Sequence, residues 1–262
     1  MIEDTAILEQ LAQVDSTNAE LLRRLRAGMG GPMAIYALAQ TAGRGRNGKS
    51  WDAPVRGLYY SQTLQFRCAP KELAGLSLAL GIAAVDAIQE AISPAANLKV
   101  MLKWPNDIWI SQQKLGGILI ELAANSASQN TALTTLVAGI GINLAGADGD
   151  DRTDLAKHGV ALEPPTLATI LVKHWQQAAL RFSSAGFADF QADWAALDAL
   201  AGHDIALSDS PSVIWHALGV GPDGALLLRG ADGHKRLIAS GEVSLSTRLS
   251  FSGAREISRG MP

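Results

Sequence analysis

Gly43-Arg44-Gly45-Arg46-Asn47-Gly48-Lys49-Ser50-Trp51 is the stretch on which the fold turns. Its first eight residues match G-x-x-x-x-G-K-[ST], the phosphate-cradling loop that joins a strand to a helix in many nucleotide-binding proteins. The strand is present, because Met33-Ala34-Ile35-Tyr36-Ala37-Leu38-Ala39 is a short apolar run. The helix is not. Trp51-Asp52-Ala53-Pro54-Val55-Arg56-Gly57 follows, with proline and glycine where helical turns should run. Residues 58–66 then read as extended, with the β-formers Tyr59, Tyr60, Thr63 and Phe66. No strand ends in the acidic residue that helps such enzymes hold magnesium. The stretch is therefore not that loop. Three glycines and three cations in nine residues read instead as a mobile anion clamp. Trp51 beside it offers a flat face on which a base can stack. A solvated turn explains the arginines alone, but fits their alternation with glycine and the closing indole less well.

The chain has 262 residues, enough for one large domain and a small one. Apolar residues make up 48%, which allows a sizeable core. A net charge of −3 gives no reason to expect non-specific nucleic-acid binding. The single cysteine, Cys68, excludes an intramolecular disulfide and fits a reducing cytoplasm. No basic-then-apolar leader opens the sequence. The apolar stretches are interrupted before the length of about 20 residues that spans a bilayer. The expectation is a cytoplasmic protein without a membrane partner.

Outward from the basic loop, residues 1–14 read as a lead-in. Asp15-Ser16-Thr17-Asn18-Ala19-Glu20 reads as a helix start, with Thr17 and Glu20 at capping-box spacing. That helix runs to Gly28. A helix start with hydroxyls and an amide is also a polar ligand site. Strand 33–40 ends at Gln40. Residues 70–92 read as one long helix, with Leu73, Leu76, Leu80, Ala84, Ala87 and Ala91 on one face. Residues 98–103 and 108–110 read as strands, separated by Trp104-Pro105-Asn106-Asp107. Residues 114–122 form another strand, opened by Lys114-Leu115-Gly116-Gly117. Residues 125–130 are a polar loop.

Residues 133–144 are a strand whose second half, Gly139-Ile140-Gly141-Ile142-Asn143, leaves one face bare and fills the other with isoleucine. The bare face is either a slot for a thin ligand or a surface for tight packing. Residues 145–164 are a polar loop whose aspartates lack calcium-loop spacing and read as solvated, so no metal site is assigned. Thr166 caps a helix to about residue 182, and Gly186 opens another to about 200. Short strands with close turns follow and mark a small all-β module. Residues 251–262 read as a frayed tail.

Four signatures stand in order: Asp15-Ser16-Thr17-Asn18, Gly43-Arg44-Gly45-Arg46-Asn47-Gly48, Lys103-Trp104-Pro105-Asn106-Asp107, and Lys114-Leu115-Gly116-Gly117-Ile118-Leu119-Ile120-Glu121. With Gly139-Ile140-Gly141-Ile142-Asn143 they resemble the biotin protein ligases, over nearly the whole chain to about residue 246. The resemblance implies an α+β fold. A mixed or antiparallel sheet with packed helices, of the class II aminoacyl-tRNA synthetase and biotin ligase kind, would occupy 1–200. An SH3-like β-barrel would occupy 201–250, and a tail 251–262. It implies a ligase that uses ATP and magnesium to convert biotin to biotinyl-5′-adenylate. The biotin then passes to a lysine of a biotin carboxyl carrier protein.

By motif position, the resemblance assigns Ser16, Thr17, Asn18 and Gln40 to the polar head of biotin. Arg44, Gly45 and Arg46 fall at the clamp around carboxylate and phosphate, and Lys114 beside the reacting centre. Gly116, Gly117, Gly139 and Gly141 match the slot walls. Trp51 matches a stacking tryptophan, and Lys49, Asn106 and Asn143 fall to the nucleotide. Arg46, Lys114 and Asp107 are the catalytic candidates. A carboxylate with a pKa of about 4 is a feeble base towards an ammonium near 10.4, so Asp107 suits an orienting or electrostatic role. Lys103 is either a phosphate contact or a strand-end cation.

Some relatives carry a DNA-binding domain before this region. Only fourteen residues precede Asp15, so the expectation is a ligase that is not a repressor and binds no nucleic acid. Lys49 stands where some relatives have arginine, which keeps the charge but not bidentate geometry. Lipoate ligases share the fold and the adenylate chemistry, but the Gly-Arg-Gly-Arg loop and Lys103-Trp104-Pro105-Asn106-Asp107 favour biotin. A non-catalytic biotin-binding module would be expected to lack the clamp cations or Lys114. Relatives often dimerise through sheet edges, and the sequence leaves monomer and homodimer open.

Overall fold

A computed structural model of the chain describes residues 6–51, 56–92, 96–123 and 133–245. The expected loop at 125–130 and tail at 251–262 lie outside these residues. Seven strands form the main sheet: β1 (Ile7–Leu11), β2 (Met33–Ala37), β3 (Arg56–Phe66), β4 (Val100–Lys103), β5 (Asp107–Ile110), β6 (Gln113–Leu122) and β7 (Thr134–Ala145). Their order is β1-β2-β3-β7-β6-β5-β4. β1 runs parallel to β2, and the remaining neighbours are antiparallel. The sheet is thus mixed and mostly antiparallel, as expected. A second sheet of five antiparallel strands follows: β8 (Asp204–Leu207), β9 (Ser210–Val220), β10 (Leu226–Arg229), β11 (Lys235–Ile238) and β12 (Val243–Leu245).

The alternation of β7 divides the main sheet into two faces. Ile140 and Ile142 join Leu58, Tyr60, Ile108 and Ile118 in a core covered by α2 (Leu76–Ala91) and α3 (Pro164–Ala185). The other face carries α1 (Thr17–Arg26), where Leu21 and Leu22 bury against Ile35 and Val137. β2, β3 and β7 therefore see a helix on both sides, which explains why they are buried along nearly their whole length. The same alternation puts Ser61, Gly139 and Gly141 on the α1 face, with Ser61 and Gly139 against the first turn of that helix.

Several local expectations are corrected. Residues 1–14 are more than a lead-in, because Ile7–Leu11 pairs with Met33–Ala37. That pairing is non-local and leaves Ile7 82% exposed, so no periodicity announces it. Ser16, not Thr17, caps α1, since its Oγ accepts from Ala19 N. Glu20 pairs with Arg23 and Arg24 instead of closing a capping box. Residues 70–92 are not one helix. A 3-10 turn, Pro70–Leu73, is parted from α2 by Gly75 at φ +81°, where a Cβ would meet Phe187 at 2.6 Å. The span Pro70–Ala91 is also long and apolar enough to cross a membrane, contrary to the expectation, and 61% of its most apolar window is packed inside the protein. α3 begins two residues before Thr166, with prolines in its first turn. The last helical region is a 3-10 turn, Phe187–Phe190, followed by α4 (Gln191–Leu197).

Trp175 on α3 is the largest fixed point of the helix-covered face. It is fully buried, its ring meets Tyr60 edge-on at 5.3 Å, and its Nε1 donates to Leu80 O at 3.1 Å. It ties α3 to both β3 and α2. Trp175→Ala is expected to cost about 3–5 kcal/mol of stability, read as a lowered midpoint in urea unfolding. An unchanged midpoint would mean that the core does not depend on this tie.

Candidate active site

The face of β7 left bare by glycine is where the site is built. A Cβ at Gly139 would lie 2.0 Å from Asn18 Oδ1, and one at Gly141 would lie 2.6 Å from the Trp51 ring. The strand is thus closely packed on its bare face too, where these two side chains meet it. Its isoleucine side packs on helices, while its glycine side admits Asn18 from α1 and Trp51 from the basic loop. Glycine is required because both side chains lie directly on the strand.

The first turn of α1 sits at one end of this face. Thr17 N and Oγ1 both donate to Gln40 Oε1, at 2.8 and 3.1 Å. Ser61 Oγ, fully buried, lies 2.7 Å from Thr17 Oγ1 and 2.6 Å from Asn18 Oδ1. Asn18 Nδ2 donates to Leu119 O at 3.2 Å and Glu121 Oε2 at 2.9 Å. Ser16, Thr17, Asn18, Gln40, Gly117, Gly139 and Gly141 together line one small cavity of about 30 Å³, with Arg44 and Trp51 over it. Gly116 faces the other way. Its missing Cβ points at Gly141 O, 2.6 Å off, and at Ile142 on the core side. The expectation that it walls the slot is corrected by the period-2 geometry of β6.

A larger cavity of about 370 Å³ adjoins this slot through Trp51 and Gly117, a size in the usual range for small-molecule sites. The basic loop forms one wall. Among the described residues no helix follows it: Arg46–Gly48 is one 3-10 turn, Arg44 bridges Ser50, and the next described element is β3. Arg44, Gly45, Arg46, Lys49 and Trp51 face the cavity from this side. Among the described residues, Trp51 Nε1 has no hydrogen-bond partner.

The opposite wall comes from the turn after β4 and the strands beyond it. Arg46 Nη1 donates to Asn106 Oδ1 at 3.3 Å, and Asn106 Nδ2 donates to Ile118 O at 2.7 Å. Lys114 Nζ stands 2.7 Å from Asp107 Oδ1 and 5.4 Å from the Trp51 ring centre. Lys103 Nζ lies 4.8 Å over Trp109, and burial pushes its pKa down against the pull of Asp107. The strand end thus points a desolvated cation into the cavity.

Asn143 also lines the cavity, but its amide is partly committed. Nδ2 donates to Thr153 O at 3.0 Å and to Lys114 O at 3.5 Å, so only Oδ1 remains for a ligand. That bond belongs to a correction in the 145–164 loop, which is not simply solvated. Asp154 is buried and accepts from Ala147 N and Lys157 N at 2.9 and 2.8 Å. The loop also grips Lys114, whose N donates to Asp151 O and whose O accepts from Thr153 N.

Four contributors escaped the sequence reading. Glu121 closes a motif quoted for other reasons. Ser61 is a lone hydroxyl in an apolar strand. Arg152 enters the cavity from the aspartate-rich loop. Glu242 comes from the second sheet and takes Lys49 Nζ at 2.6 Å and Asn47 Nδ2 at 3.4 Å. Lys49 beside it holds the Glu242 carboxyl below its usual range. Only the Glu121 position had a sequence signal, since a charge closing an apolar strand needs a partner. Among the described residues, no group of three or more His, Cys, Asp or Glu is arranged to hold a metal ion.

Residues 11–143 match the model of the biotin/lipoate A/B protein ligase family. The biotin–[acetyl-CoA-carboxylase] ligase of Paracoccus denitrificans is 32% identical over 244 residues, covering 89% of this chain and 98% of that protein. The bifunctional ligase/repressor BirA of Escherichia coli K12 is 32% identical over 243 residues, covering 90% of this chain and 73% of its own. Among solved structures, the biotin protein ligase from Aquifex aeolicus in complex with biotin and ATP superposes with a TM-score of 0.75 at 28% identity, covering 91% and 98% of the two chains. The signatures, the mixed sheet and the paired cavities thus have one common source: the chain belongs to the biotin/lipoate A/B protein ligase family and, within it, to the biotin protein ligases.

Proposed function

We infer that the chain joins biotin to a carboxylase by way of an adenylate. It activates biotin with ATP as biotinyl-5′-adenylate and transfers the acyl group to a lysine of the acceptor. The observation that carries this reading is the adjacency of the two cavities. A narrow polar slot floored by Gly139 opens beside a cavity ringed by Arg44, Arg46, Lys49, Lys103 and Lys114.

In the first step a carboxylate oxygen of biotin attacks the α-phosphorus of ATP, and pyrophosphate leaves. Two anions must meet, so the site has to supply positive charge where they join. Arg44, Arg46 and Lys114 are assigned that task, with Lys49 towards the leaving phosphates. One well-placed donor in such a site is worth about 3–4 kcal/mol of the barrier. Magnesium accompanies the nucleotide and prefers phosphate oxygens and water to a protein cage. The cavity carboxylates Asp107, Asp151 and Glu242 suit outer contacts to it. Ser16, Thr17, Asn18 and Gln40 are assigned to the polar head of biotin, Gly117, Gly139 and Gly141 to the slot, and Trp51, Asn106 and Asn143 to the nucleotide.

In the second step the acceptor amine attacks the acyl carbon, and AMP leaves with the bonding electrons. Asp107 orients Lys114 through their 2.7 Å pair. The adenylate is prone to hydrolysis, so a loop that stays closed on it protects the intermediate. The acceptor we propose is the biotin carboxyl carrier protein of acetyl-CoA carboxylase, as the names of the relatives suggest. Homodimer formation and a cytoplasmic location belong to the same reading, the latter supported by the unpaired thiol of Cys68.

Transfer of labelled biotin to a biotin carboxyl carrier domain tests this directly. Labelling by wild type is expected only with ATP and magnesium, and lipoate is expected to bind more weakly than biotin in isothermal titration. Arg46→Gly is expected to release adenylate and label bystander proteins. No transfer by wild type, with biotin still bound, would overturn the ligase reading, and tighter lipoate binding would overturn the choice of acid.

Lys103 supplies a second test. Its charged form is disfavoured by burial, so the folded pKa lies below the ordinary lysine value of 10.5. The penalty is in force below that lowered pKa and fades as pH rises from it to the ordinary value. Lys103→Met is therefore expected to be about 1 kcal/mol more stable than wild type at pH 7, with the gap closing by alkaline pH. As a phosphate contact, Lys103 should also raise the KM for ATP about tenfold when lost. An unchanged KM would leave it a strand-end cation.

A further inference from the structure

Glu121 has no part in the steps set out above, yet both halves of the site lean on it. It lies near the end of β6, with its side chain 25% exposed. Its Oε2 accepts from Arg44 Nη2 at 2.8 Å and from Asn18 Nδ2 at 2.9 Å. As an ion pair alone the Arg44 contact would matter little, because the guanidinium is 41% exposed and water screens it. The shared oxygen changes that.

Asn18 is buried, and both of its amide hydrogens are engaged. Nδ2 also reaches Leu119 O, while Oδ1 takes the Ser61 hydroxyl and lies over Gly139. A carboxylate only accepts hydrogen bonds, so Glu121 and the Leu119 carbonyl together hold the nitrogen side of the amide towards them. The oxygen side is then the one presented to Ser61 and the slot. In a buried polar network, each member fixes the next. The same Oε2 holds Arg44, and so ties the basic loop to the main sheet.

We propose that Glu121 is a positioning residue for activation of the acid: with the Leu119 carbonyl it holds the Asn18 amide in place at the slot, and it docks the basic loop on the sheet through Arg44. This rests on the ligase reading for its consequence in turnover, but not for its consequence in the free protein. Slot and clamp are then aligned by one side chain, so the two ends of a bound acid are read in a fixed relation.

Glu121→Gln keeps the shape, but offers one acceptor oxygen in place of a charge shared by two donors. It is expected to raise the KM for biotin about tenfold, with kcat and the KM for ATP within about twofold of wild type. In the ligand-free protein, trypsin is expected to cut after Arg44, Arg46 or Lys49 about fivefold faster, since a loop released from its anchor opens more often. Biotin with ATP should restore protection. Glu121→Asp, which keeps the charge on a shorter arm, should recover part of both effects. Should Glu121→Gln fail to fold by circular dichroism, the aspartate variant is expected to show the same two effects at smaller size, and their absence there would overturn the proposal. An unchanged biotin KM together with unchanged cleavage in a folded Glu121→Gln overturns it as well. Failure of wild type to transfer biotin would sink the ligase reading, while the digestion, run without substrate, still decides whether Glu121 docks the loop.

Discussion

Contact at van der Waals distance between side chains and bare backbone is the constraint on which the molecule depends. Asn18 and Trp51 lie on β7 where Gly139 and Gly141 have no Cβ. One side chain comes from α1 and the other from the basic loop, so a single strand brings together elements far apart in sequence. The opposite side of the same strand has no such freedom. Ile140 and Ile142 fill it and lock the sheet onto α2 and α3. A rigid floor and an accommodating surface are thus the two faces of one ribbon, separated by the pleat.

Charge around the cavity is arranged with similar economy. Arg44 is paired with Glu121, Lys49 with Glu242 and Lys114 with Asp107. Each pair keeps a cation pointed at the space where phosphate and carboxylate are to meet. Lys103 differs, because its burial weakens its hold on a proton. Cations gathered this closely would repel one another without these carboxylates, and the loop that carries two of them would not rest against the sheet.

The second sheet takes part through the buried indole of Trp104, which donates to Gly224 O at 3.0 Å. Gly224 has φ +79° and comes so close to the main domain that a Cβ would meet Gly75 Cα at 2.7 Å. Leu102 O accepts from Ala199 N just before the second sheet begins. With that joint fixed, Glu242 reaches the basic loop from the far side. The Trp104 turn therefore serves the cavity twice, once by placing Asn106 and Asp107 and once by holding the module that supplies Glu242.

The sequence by itself determined the kinds of elements and most of the chemistry. Proline and glycine after Trp51 ruled out a phosphate loop. The alternation in β7 announced a bare face, and the clustered cations announced an anion site. These signals are local, carried by residues within one turn or one strand of each other. The tertiary structure decided what depends on distant partners. Edge strand β1 exists only through its pairing with β2, and Ser16 takes the cap because Thr17 is drawn to Gln40. Gly116 leaves the slot because the pleat turns it towards Ile142. Glu121 and Glu242 acquire a role only when folding brings them against the loop cations they hold, which lie 77 and 193 residues away in sequence. A hydrogen bond or an ion pair acts over a few ångströms, and nothing in a linear pattern records which distant residues will come within that reach.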